Sequence, residues 1–457
     1  MLFSGIPFLF YFLPAVIILY FLVPDKGKNA VLLFTSLLFY AWGEPKYVLL
    51  MVFSIVVYYA FGLAIGKSEH KKAWLTASIL TGALLLGIFK YCDFFIGSFN
   101  SAFGTSLPLL RLALPIGISF YTFQCMSYTI DVYRGDARAQ KNIIDFAAYV
   151  ALFPQLIAGP IVRYVDVERE LQRREHSWDN FTQGIPRFLT GLGKKVLLAN
   201  NLGLLTEIFR GSADKSVLFC WLYAIAFTLH IYFDFSGYSD MAIGLGRIFG
   251  FRFPENFDYP YISRSVTEFW RRWHMTLGGW FRDYVYIPLG GNRVSKSRWV
   301  FNILVVWMLT GLWHGAAWNF VVWGLLFAVL LVAEKWVPWL NKLPSALSHA
   351  YVLVVVIISF VIFNASSMAQ AGSDLAGMFG LAGLSLYTQE AVYYLRSYGL
   401  VLALAIVGAT PLPKMVLRRL PGKVTAVLQP AALGLLLLVC TAYLVDGSYN
   451  PFLYFRF

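Results

Sequence analysis

The sequence has 457 residues, of which 59% are hydrophobic and 13% are charged, with a formal net charge of +13 at pH 7. Because soluble globular domains carry about 25% charged residues, this composition, with a mean hydropathy of +0.64, excludes a soluble domain and predicts an all-α polytopic membrane protein. An excess of lysine and arginine is typical of cytoplasmic loops in such proteins, and we expect no nucleic-acid partner.

Apolar segments separated by short polar turns begin at the N-terminus. Residues 1–24 lack a basic start and a small-residue cleavage site, so we expect a retained membrane segment and not a signal peptide. Since a spanning helix needs about 20 apolar residues, we predict roughly ten to twelve membrane passes, some of them short or re-entrant. The long charge-free segments lie at 47–66, 73–89, 112–130, 146–162, 216–233, 350–373 and 424–445.

Prolines and glycines interrupt two of these segments, at 114–124 ("LPIGISFYTFQ") and 152–163 ("LFPQLIAGPIVR"). Non-helical backbone is tolerated at membrane depth only where protein buries it or where it lines a cavity. No repeat or low-complexity tract divides the chain, which predicts one membrane domain, 1–457. The cysteines lie far apart without metal-ligand spacing, so we expect no metal site and no disulfide framework: Cys92, Cys125, Cys220 and Cys440.

Two carboxylates lie in or next to apolar sequence in the segment 231–251, "IYFDFSGYSDMAIGLGRIFGF". A carboxylate inside the membrane costs about 2.5–3.5 kcal/mol on insertion scales. Asp234 and Tyr238 are four residues apart and can share a helical face, whereas Asp240 is turned away from Asp234. A polar channel lining, a substrate contact and a purely structural hydrogen-bond cluster all fit this pattern.

The polar loop 252–298 holds eight basic residues against four acidic ones, which predicts a cytoplasmic location. Within it, residues 268–287 have apolar side chains at helical spacing, which predicts one interfacial helix with His274 on its buried face. A charge-free run of 35 residues, 299–333, follows. It is too long for a single pass, and Gly311 and Gly315 mark the expected bend or reversal around His314.

Histidine can accept or donate a proton near neutral pH, as a hydroxyl attacking an acyl carbonyl requires. His274 and His314 both lie in apolar surroundings, where either a catalytic role or a simple hydrogen bond to the backbone would account for them. The other four histidines are expected to be loop or packing residues. Nucleophile-elbow, Walker and zinc-protease motifs do not occur, so these enzyme classes have no support.

Three long motifs, taken in order, resemble the membrane-bound O-acyltransferase (MBOAT) family, and in particular its bacterial alginate O-acetyltransferase branch. They lie at 233–246 ("FDFSGYSDMAIGLG"), 255–293 ("ENFDYPYISRSVTEFWRRWHMTLGGWFRDYVYIPLGGNR") and 311–324 ("GLWHGAAWNFVVWG"). The resemblance is strong over residues 114–324 and looser towards both ends. It implies a ring of transmembrane helices with re-entrant segments around a central tunnel.

The resemblance also implies roles for individual residues. His314, in the Trp-His-Gly motif, would be catalytic, removing the acceptor's proton or taking part in acyl relay. His274, the second functional position, would orient the donor or stabilise developing charge. The further candidates for substrate or tunnel contacts are Asp234, Tyr238, Asp240, Trp313 and Asn319.

Acetyl-CoA is the cytoplasmic donor that the resemblance implies, with no permanently bound cofactor. A separate extracytoplasmic or membrane-anchored acetyltransferase would then place the acetyl group on an exported polysaccharide. The expected location is the bacterial inner membrane. Basic residues of 252–298 could receive the phosphates of coenzyme A, although ordinary positive-inside topology explains the same residues and is the preferred interpretation.

Three alternative functions stay open. A related branch of the family transfers D-alanine to teichoic acid, and its motifs look less similar. A transporter or flippase would also contain broken helices and membrane carboxylates, but it should show an inverted repeat, which we do not find. A non-enzymatic scaffold would not need two buried histidines. The sequence does not determine the acceptor (alginate, cellulose or peptidoglycan), the acyl length, the partner or the oligomeric state.

Overall fold

The structure is a computed structural model that describes residues 2–337, 343–447 and 452–453. Throughout these ranges the regular elements are helices, and no β-strand occurs. The predicted all-α class is therefore confirmed.

The contacts within the chain divide it into two compact units. Unit 1 comprises Met1–Phe188 and Tyr238–Glu255, and unit 2 comprises Leu189–Gly237 and Asn256–Phe457. Two helices, α10 (Trp178–Gly193) and α12 (Val217–Ile248), contribute residues to both units. A single membrane domain over 1–457 stays a prediction.

Unit 1 is built from helices that pack on one another. Helix α6 packs against α3 and α4, and α2 packs against α7. The helices are α1 (Leu13–Leu22), α2 (Lys28–Gly43), α3 (Val48–Lys67), α4 (Lys71–Leu86), α5 (Cys92–Phe103), α6 (Ile118–Arg134), α7 (Ile143–Ala151), α8 (Phe153–Leu156) and α9 (Tyr164–Gln172).

Both interrupted segments of unit 1 have the expected non-helical backbone. Helix α6 begins only at Ile118, and residues 157–163 leave the helical conformation between α8 and α9. Most of 157–163 is buried, and the carbonyl of Val162 accepts hydrogen bonds from Tyr149 and Gln124. Burial in protein with satisfied carbonyls is the condition under which such backbone is stable at membrane depth.

Unit 2 has a core of aromatic and aliphatic side chains between its long helices. Helix α15 packs along α16, and α16 also packs against α13 and α17. The helices are α11 (Asn200–Gly211), α13 (Val266–Arg272), α14 (Met275–Phe281), α15 (Lys296–His314), α16 (Trp318–Trp336), α17 (Ser345–Asn364), α18 (Met368–Met378), α19 (Gln389–Gly408), α20 (Leu412–Arg419) and α21 (Gly422–Asp446).

Seven helical segments of the described chain are long and apolar enough to cross a membrane: Val48–Lys67, Lys71–Phe103, Val217–Ile248, Trp318–Trp336, Ser345–Asn364, Gln389–Gly408 and Gly422–Asp446. The multi-pass architecture is confirmed. The number is lower than the ten to twelve passes predicted because several apolar stretches form shorter or broken helices. Phe8–Leu22 is shorter than 18 residues, and the stretch 146–162 is split between α7, α8 and irregular backbone.

The charge-free run forms a helical hairpin, as the glycines predicted. Helix α15 ends at His314, three residues reverse the chain, and α16 begins at Trp318. Gly311 and Gly324 lie where the two helices touch, because a Cβ at Gly311 would overlap the Phe320 carbonyl and one at Gly324 the Trp307 carbonyl. Gly311 therefore allows the close approach, and the reversal itself begins at Gly315.

Candidate active site

His314 is the last residue of α15 and is buried, at 5% exposure. The close α15–α16 contact fixes the end of the helix, so the backbone holds the ring in place. Its ring centroid lies 5.1 Å from that of Trp313, 5.2 Å from Trp323 and 5.3 Å from Phe363, in edge-to-face geometry. Such contacts restrict the ring to one orientation within an aromatic cage.

His274 lies between α13 and α14, and this position corrects one prediction. Residues 268–287 do not form one continuous helix, because His274 adopts left-handed backbone angles, φ 44° and ψ 52°. Left-handed geometry is sterically costly for a residue with a Cβ and clusters at functional sites. The predicted burial is confirmed, since His274 is 1% exposed.

A carboxylate from α16 anchors the helix that leads to His274. Glu334, which is 4% exposed, accepts hydrogen bonds from the backbone N–H groups of Val266 and Thr267 at 2.5 and 2.9 Å. It also accepts a hydrogen bond from the Thr267 hydroxyl at 2.8 Å. A carboxylate at a helix N-terminus satisfies free N–H groups and the positive end of the helix dipole. Helix α13 is thereby tied to the hairpin that carries His314.

Asn256 fixes the tautomer of His274. Its Oδ1 atom accepts hydrogen bonds from the backbone N–H and the hydroxyl of Thr276 and lies 3.1 Å from His274 Nδ1. A backbone N–H can only donate, so the shared atom is the amide oxygen, and His274 Nδ1 must carry the proton that it donates. In the neutral ring, Nε2 then holds the lone pair. Nε2 is buried and has no hydrogen-bond partner among the described residues.

His274 lies outside the seven candidate membrane spans, and its surroundings determine its protonation state. Burial lowers the pKa of His274 well below its usual range, and neighbouring His314 lowers it further. Both effects disfavour the charged ring. His274 is therefore a neutral imidazole at neutral pH, with an available acceptor at Nε2.

The two histidines come together in unit 2. Their ring centroids are 6.4 Å apart, and Trp313 lies against both, with its centroid 5.7 Å from that of His274. Phe235 also packs on His274, with ring centroids 4.6 Å apart. Aromatic surfaces thus enclose the histidine pair, which excludes water and strengthens electrostatic interactions inside.

A narrow, mostly apolar cavity lies beside His314. Its polar side chains are His314 and Asp234, and the remaining walls are aromatic or aliphatic: Ile231, Phe235, Trp273, Trp323, Phe360, Phe363 and Leu453. Sites of this kind, apolar with a few placed polar groups, are typical of small-molecule binding.

Asp234 forms a buried ion pair that the sequence analysis does not predict. Lys195 Nζ lies 2.6 Å from Asp234 Oδ1, with side-chain exposures of 0% and 3%. The second carboxylate oxygen accepts the backbone N–H of Leu453 at 2.7 Å. Lys195 could have been suspected because a carboxylate in apolar sequence requires a cation or other partner. Nothing in the local sequence selects Lys195 from the other cations.

Three candidates make contacts of other kinds. Tyr238 is buried in unit 1, where its ring stacks on Phe3 at 4.7 Å. Asp240, also in unit 1, pairs with Arg187 at 2.6 Å. Asn319 is in unit 2, but its amide donates to carbonyls at the end of α17, at 3.1 and 3.0 Å for Phe363 and Ala365. None of these three side chains is part of the described cavity lining.

Metal and disulfide chemistry find no structural basis in the described residues. Across residues 2–337, 343–447 and 452–453, no group of three or more His, Cys, Asp or Glu side chains could hold a metal ion. All four cysteines are free thiols.

Comparison with known proteins agrees with the motifs. The profile of the membrane-bound O-acyltransferase family matches residues 108–369. A Pseudomonas putida protein named "Probable alginate O-acetylase AlgI" is 39% identical, with 100% of each chain covered. A Helicobacter pylori peptidoglycan O-acetyltransferase is 34% identical over 84% of this chain and 81% of its own. A Bacillus subtilis teichoic acid D-alanyltransferase is 31% identical, over 54% of this chain and 67% of its own.

Proposed function

The chain belongs to the membrane-bound O-acyltransferase family and is an O-acyltransferase, and from this premise we propose its donor, acceptor and catalytic residues. The protein takes an acetyl group from acetyl-CoA in the cytoplasm and passes it across the bacterial inner membrane. A partner acetyltransferase then places it on an exported or cell-surface polysaccharide such as alginate. Similarity over the full length to a protein named for alginate O-acetylation, against about half for the D-alanyl branch, supports this choice.

One observation carries the proposal: two buried histidines, 6.4 Å apart, are enclosed by aromatic rings beside an apolar cavity. An acetyl group has a small apolar end that suits such walls. In the proposed step, His314 removes the proton of the acceptor hydroxyl, and the oxygen of that hydroxyl attacks the carbonyl carbon of the thioester. The carbon–sulfur bond then breaks, and the thiolate of coenzyme A leaves and regains a proton from the imidazolium.

His274 positions this reaction. Its Nδ1–H is committed to Asn256, and a neutral ring with that tautomer has no proton on Nε2 to stabilise an oxyanion. Of the two roles that the resemblance allows, orientation is therefore the better one. We propose that Nε2 of His274 accepts a hydrogen bond from a reacting group, aligning it with His314.

The test compares two substitutions at His314. His314→Ala and His314→Gln should both leave folded, membrane-inserted protein and lower acetyl transfer about 10²–10⁴-fold, because neither side chain can act as a base. Transfer is measured as coenzyme A released from acetyl-CoA in nanodiscs with the partner present. If His314→Gln kept about a third of wild-type transfer, outside the expected loss, the catalytic role would be wrong.

A second measurement tests the donor. The wild-type protein should accept acetyl-CoA and show no transfer from a carrier protein charged with D-alanine. If the charged carrier were the only active donor, D-alanyl transfer would replace acetyl transfer as the function. The substitutions at His314 should then abolish D-alanyl transfer. This result would show that the proposed donor is wrong and that the proposed catalytic residue is right.

A further inference from the structure

A polar cleft in unit 1 has no part in the histidine site. It has a volume of about 490 Å³ and is lined by four lysine or arginine side chains against two aspartates. We call it the basic cleft and define it by Lys26, Lys28, Asn29, Arg173, Arg174 and His176. Both aspartates are engaged: Asp25 pairs with Lys28 at 2.7 Å, and Asp145 accepts the amide of Asn29 at 2.7 Å.

Arg174 is held in a fixed position within the basic cleft. Its guanidinium carbon lies 5.6 Å from the Tyr20 ring centroid and 4.7 Å from the Phe251 ring centroid. Its Nη2 donates to Asn29 Oδ1 at 2.6 Å, and Asn29 is fixed in turn by Asp145 and by the Leu171 carbonyl at 2.8 Å. An arginine ordered in this way loses little side-chain entropy when it binds an anion.

One nitrogen of the Arg174 guanidinium has no acceptor for its N–H groups among the described residues. Nη1 of Arg174 is buried and has no hydrogen-bond partner in the described part of the chain. A buried N–H of a charged group without an acceptor is costly, and a phosphate oxygen is the acceptor that arginine best matches. The exposed side chains of Lys26 and Arg173 line the same cleft and supply further positive charge.

The aromatic residues beside the cleft indicate the membrane interface. Trp178 is 82% exposed and packs on Phe181, which packs on Phe21, and Phe21 contacts the His176 ring at 5.4 Å. Exposed tryptophan and other aromatics are typical of headgroup depth. The neighbouring face of α1 is also exposed and apolar, with Leu22 76% exposed. Lipid chains would therefore adjoin the basic cleft directly.

From these observations we propose that the basic cleft binds the phosphate of an anionic phospholipid headgroup, with the acyl chains along the exposed face of α1. Arg174 Nη1 donates to a phosphate oxygen, and Lys26 and Arg173 add long-range attraction. Basic pockets at membrane helices recognise anionic headgroups in this way. Phe251 precedes the loop 252–298, so the site lies at the end of unit 1 that we predict to be cytoplasmic.

The experiment measures lipid binding to the detergent-purified full chain by native mass spectrometry. Phosphatidylglycerol should bind more tightly than phosphatidylcholine. Arg174→Gln should weaken phosphatidylglycerol binding at least tenfold, since it removes both a charge and a charge-assisted hydrogen bond. Arg173→Gln, at an exposed position, should weaken it about fivefold. Arg138→Gln, an exposed arginine outside the cleft, is the matched control and should change nothing.

Three outcomes would overturn the proposal. Equal binding of the two lipids would show that the headgroup charge is not recognised. Unchanged phosphatidylglycerol binding by both Arg174→Gln and Arg173→Gln would show that the lipid binds outside the basic cleft. The third outcome is that free coenzyme A, added as a competitor, displaces phosphatidylglycerol from the wild-type protein but not from the Arg173→Gln variant. That result would assign the cleft to a soluble phosphate compound. If Arg174→Gln does not fold, the Arg173→Gln variant still decides the question.

Discussion

The buried ion pair between Lys195 and Asp234 gives a prediction whose size follows from the structure. The charged atoms are 2.6 Å apart and the side chains are 0% and 3% exposed. Lys195→Met replaces the lysine by an unbranched apolar side chain one atom shorter and leaves the Leu453 N–H as the described hydrogen-bond donor to the carboxylate. Removing one partner of a buried pair typically costs about 3–5 kcal/mol, since the other charge stays buried without compensation. We expect a loss of that size.

The double variant separates pairing from packing. Asp234→Asn alone should also destabilise the protein, because it removes the counter-charge of a buried lysine, which keeps its contact with the Phe452 ring at 4.6 Å. Combined with Lys195→Met, it removes both charges while the asparagine oxygen can still accept the Leu453 N–H. Replacing both charges of a buried pair by uncharged groups is often close to neutral. The double variant should therefore be more stable than either single variant.

The assay is chemical unfolding of the purified protein in detergent, with the four proteins compared as a double-mutant cycle. Single variants within about 0.5 kcal/mol of the wild type, a size usual for surface substitutions, would refute the reasoning. So would a double variant that loses as much as the two single variants together. Either result would mean that the pair contributes little to the folded state.

Acetyl transfer by the same double variant decides what Asp234 does in the cavity that it shares with His314. If the folded double variant transfers acetyl groups at a rate near that of the wild type, the carboxylate is structural. A loss of about 10²-fold or more in a folded double variant, on the scale of a lost transition-state interaction, would show that the pair of Lys195 and Asp234 acts in the reaction. The free energy of unfolding and the rate of acetyl transfer are therefore measured on the same set of variants.

Three further predictions follow from the same structure. Asn256→Asp places a negative charge beside Nδ1 of His274, which raises the lowered pKa of that histidine. The low-pH limb of the transfer rate should therefore move to higher pH, and an unmoved profile would mean that protonation of His274 does not limit transfer. Gly311→Ala forces a methyl group into a carbonyl of α16 and should lower stability by about 1–3 kcal/mol or more, whereas Gly399→Ala, with open space around it, should be tolerated. In a background without native cysteines, Ser295→Cys in intact cells should react only with a membrane-permeant reagent, and labelling by an impermeant one would reverse the predicted orientation.

The sequence predicts those features of the site that depend on neighbouring residues. The long charge-free run, with Gly315 directly after His314, predicts a hairpin, and α15 does end at His314. The helical spacing of apolar residues predicts that His274 is buried, and it is. Both conclusions require only hydropathy and local backbone preference, which act over a few residues.

The remaining features depend on pairs that are distant in sequence. Lys195 precedes Asp234 by 39 residues, and Glu334 follows Thr267 by 67. A carboxylate in apolar sequence signals that a partner exists, but it does not identify which cation or which helix start provides it. The break at His274 was missed for a related reason. Its left-handed backbone is stabilised by Asn256, 18 residues away, and no local helix signal reports that contact.

The contacts of the two histidines bear on their chemistry. His314 ends helix α15, and its ring lies among three aromatic side chains. His274 donates its Nδ1 proton to Asn256, in a left-handed backbone conformation, and keeps the lone pair on Nε2. Burial and the neighbouring His314 lower the pKa of His274, which makes Nε2 a weak proton acceptor that can still accept a hydrogen bond. His274 is therefore better suited to directing a reacting group than to taking its proton, and His314 is the base in the proposed reaction.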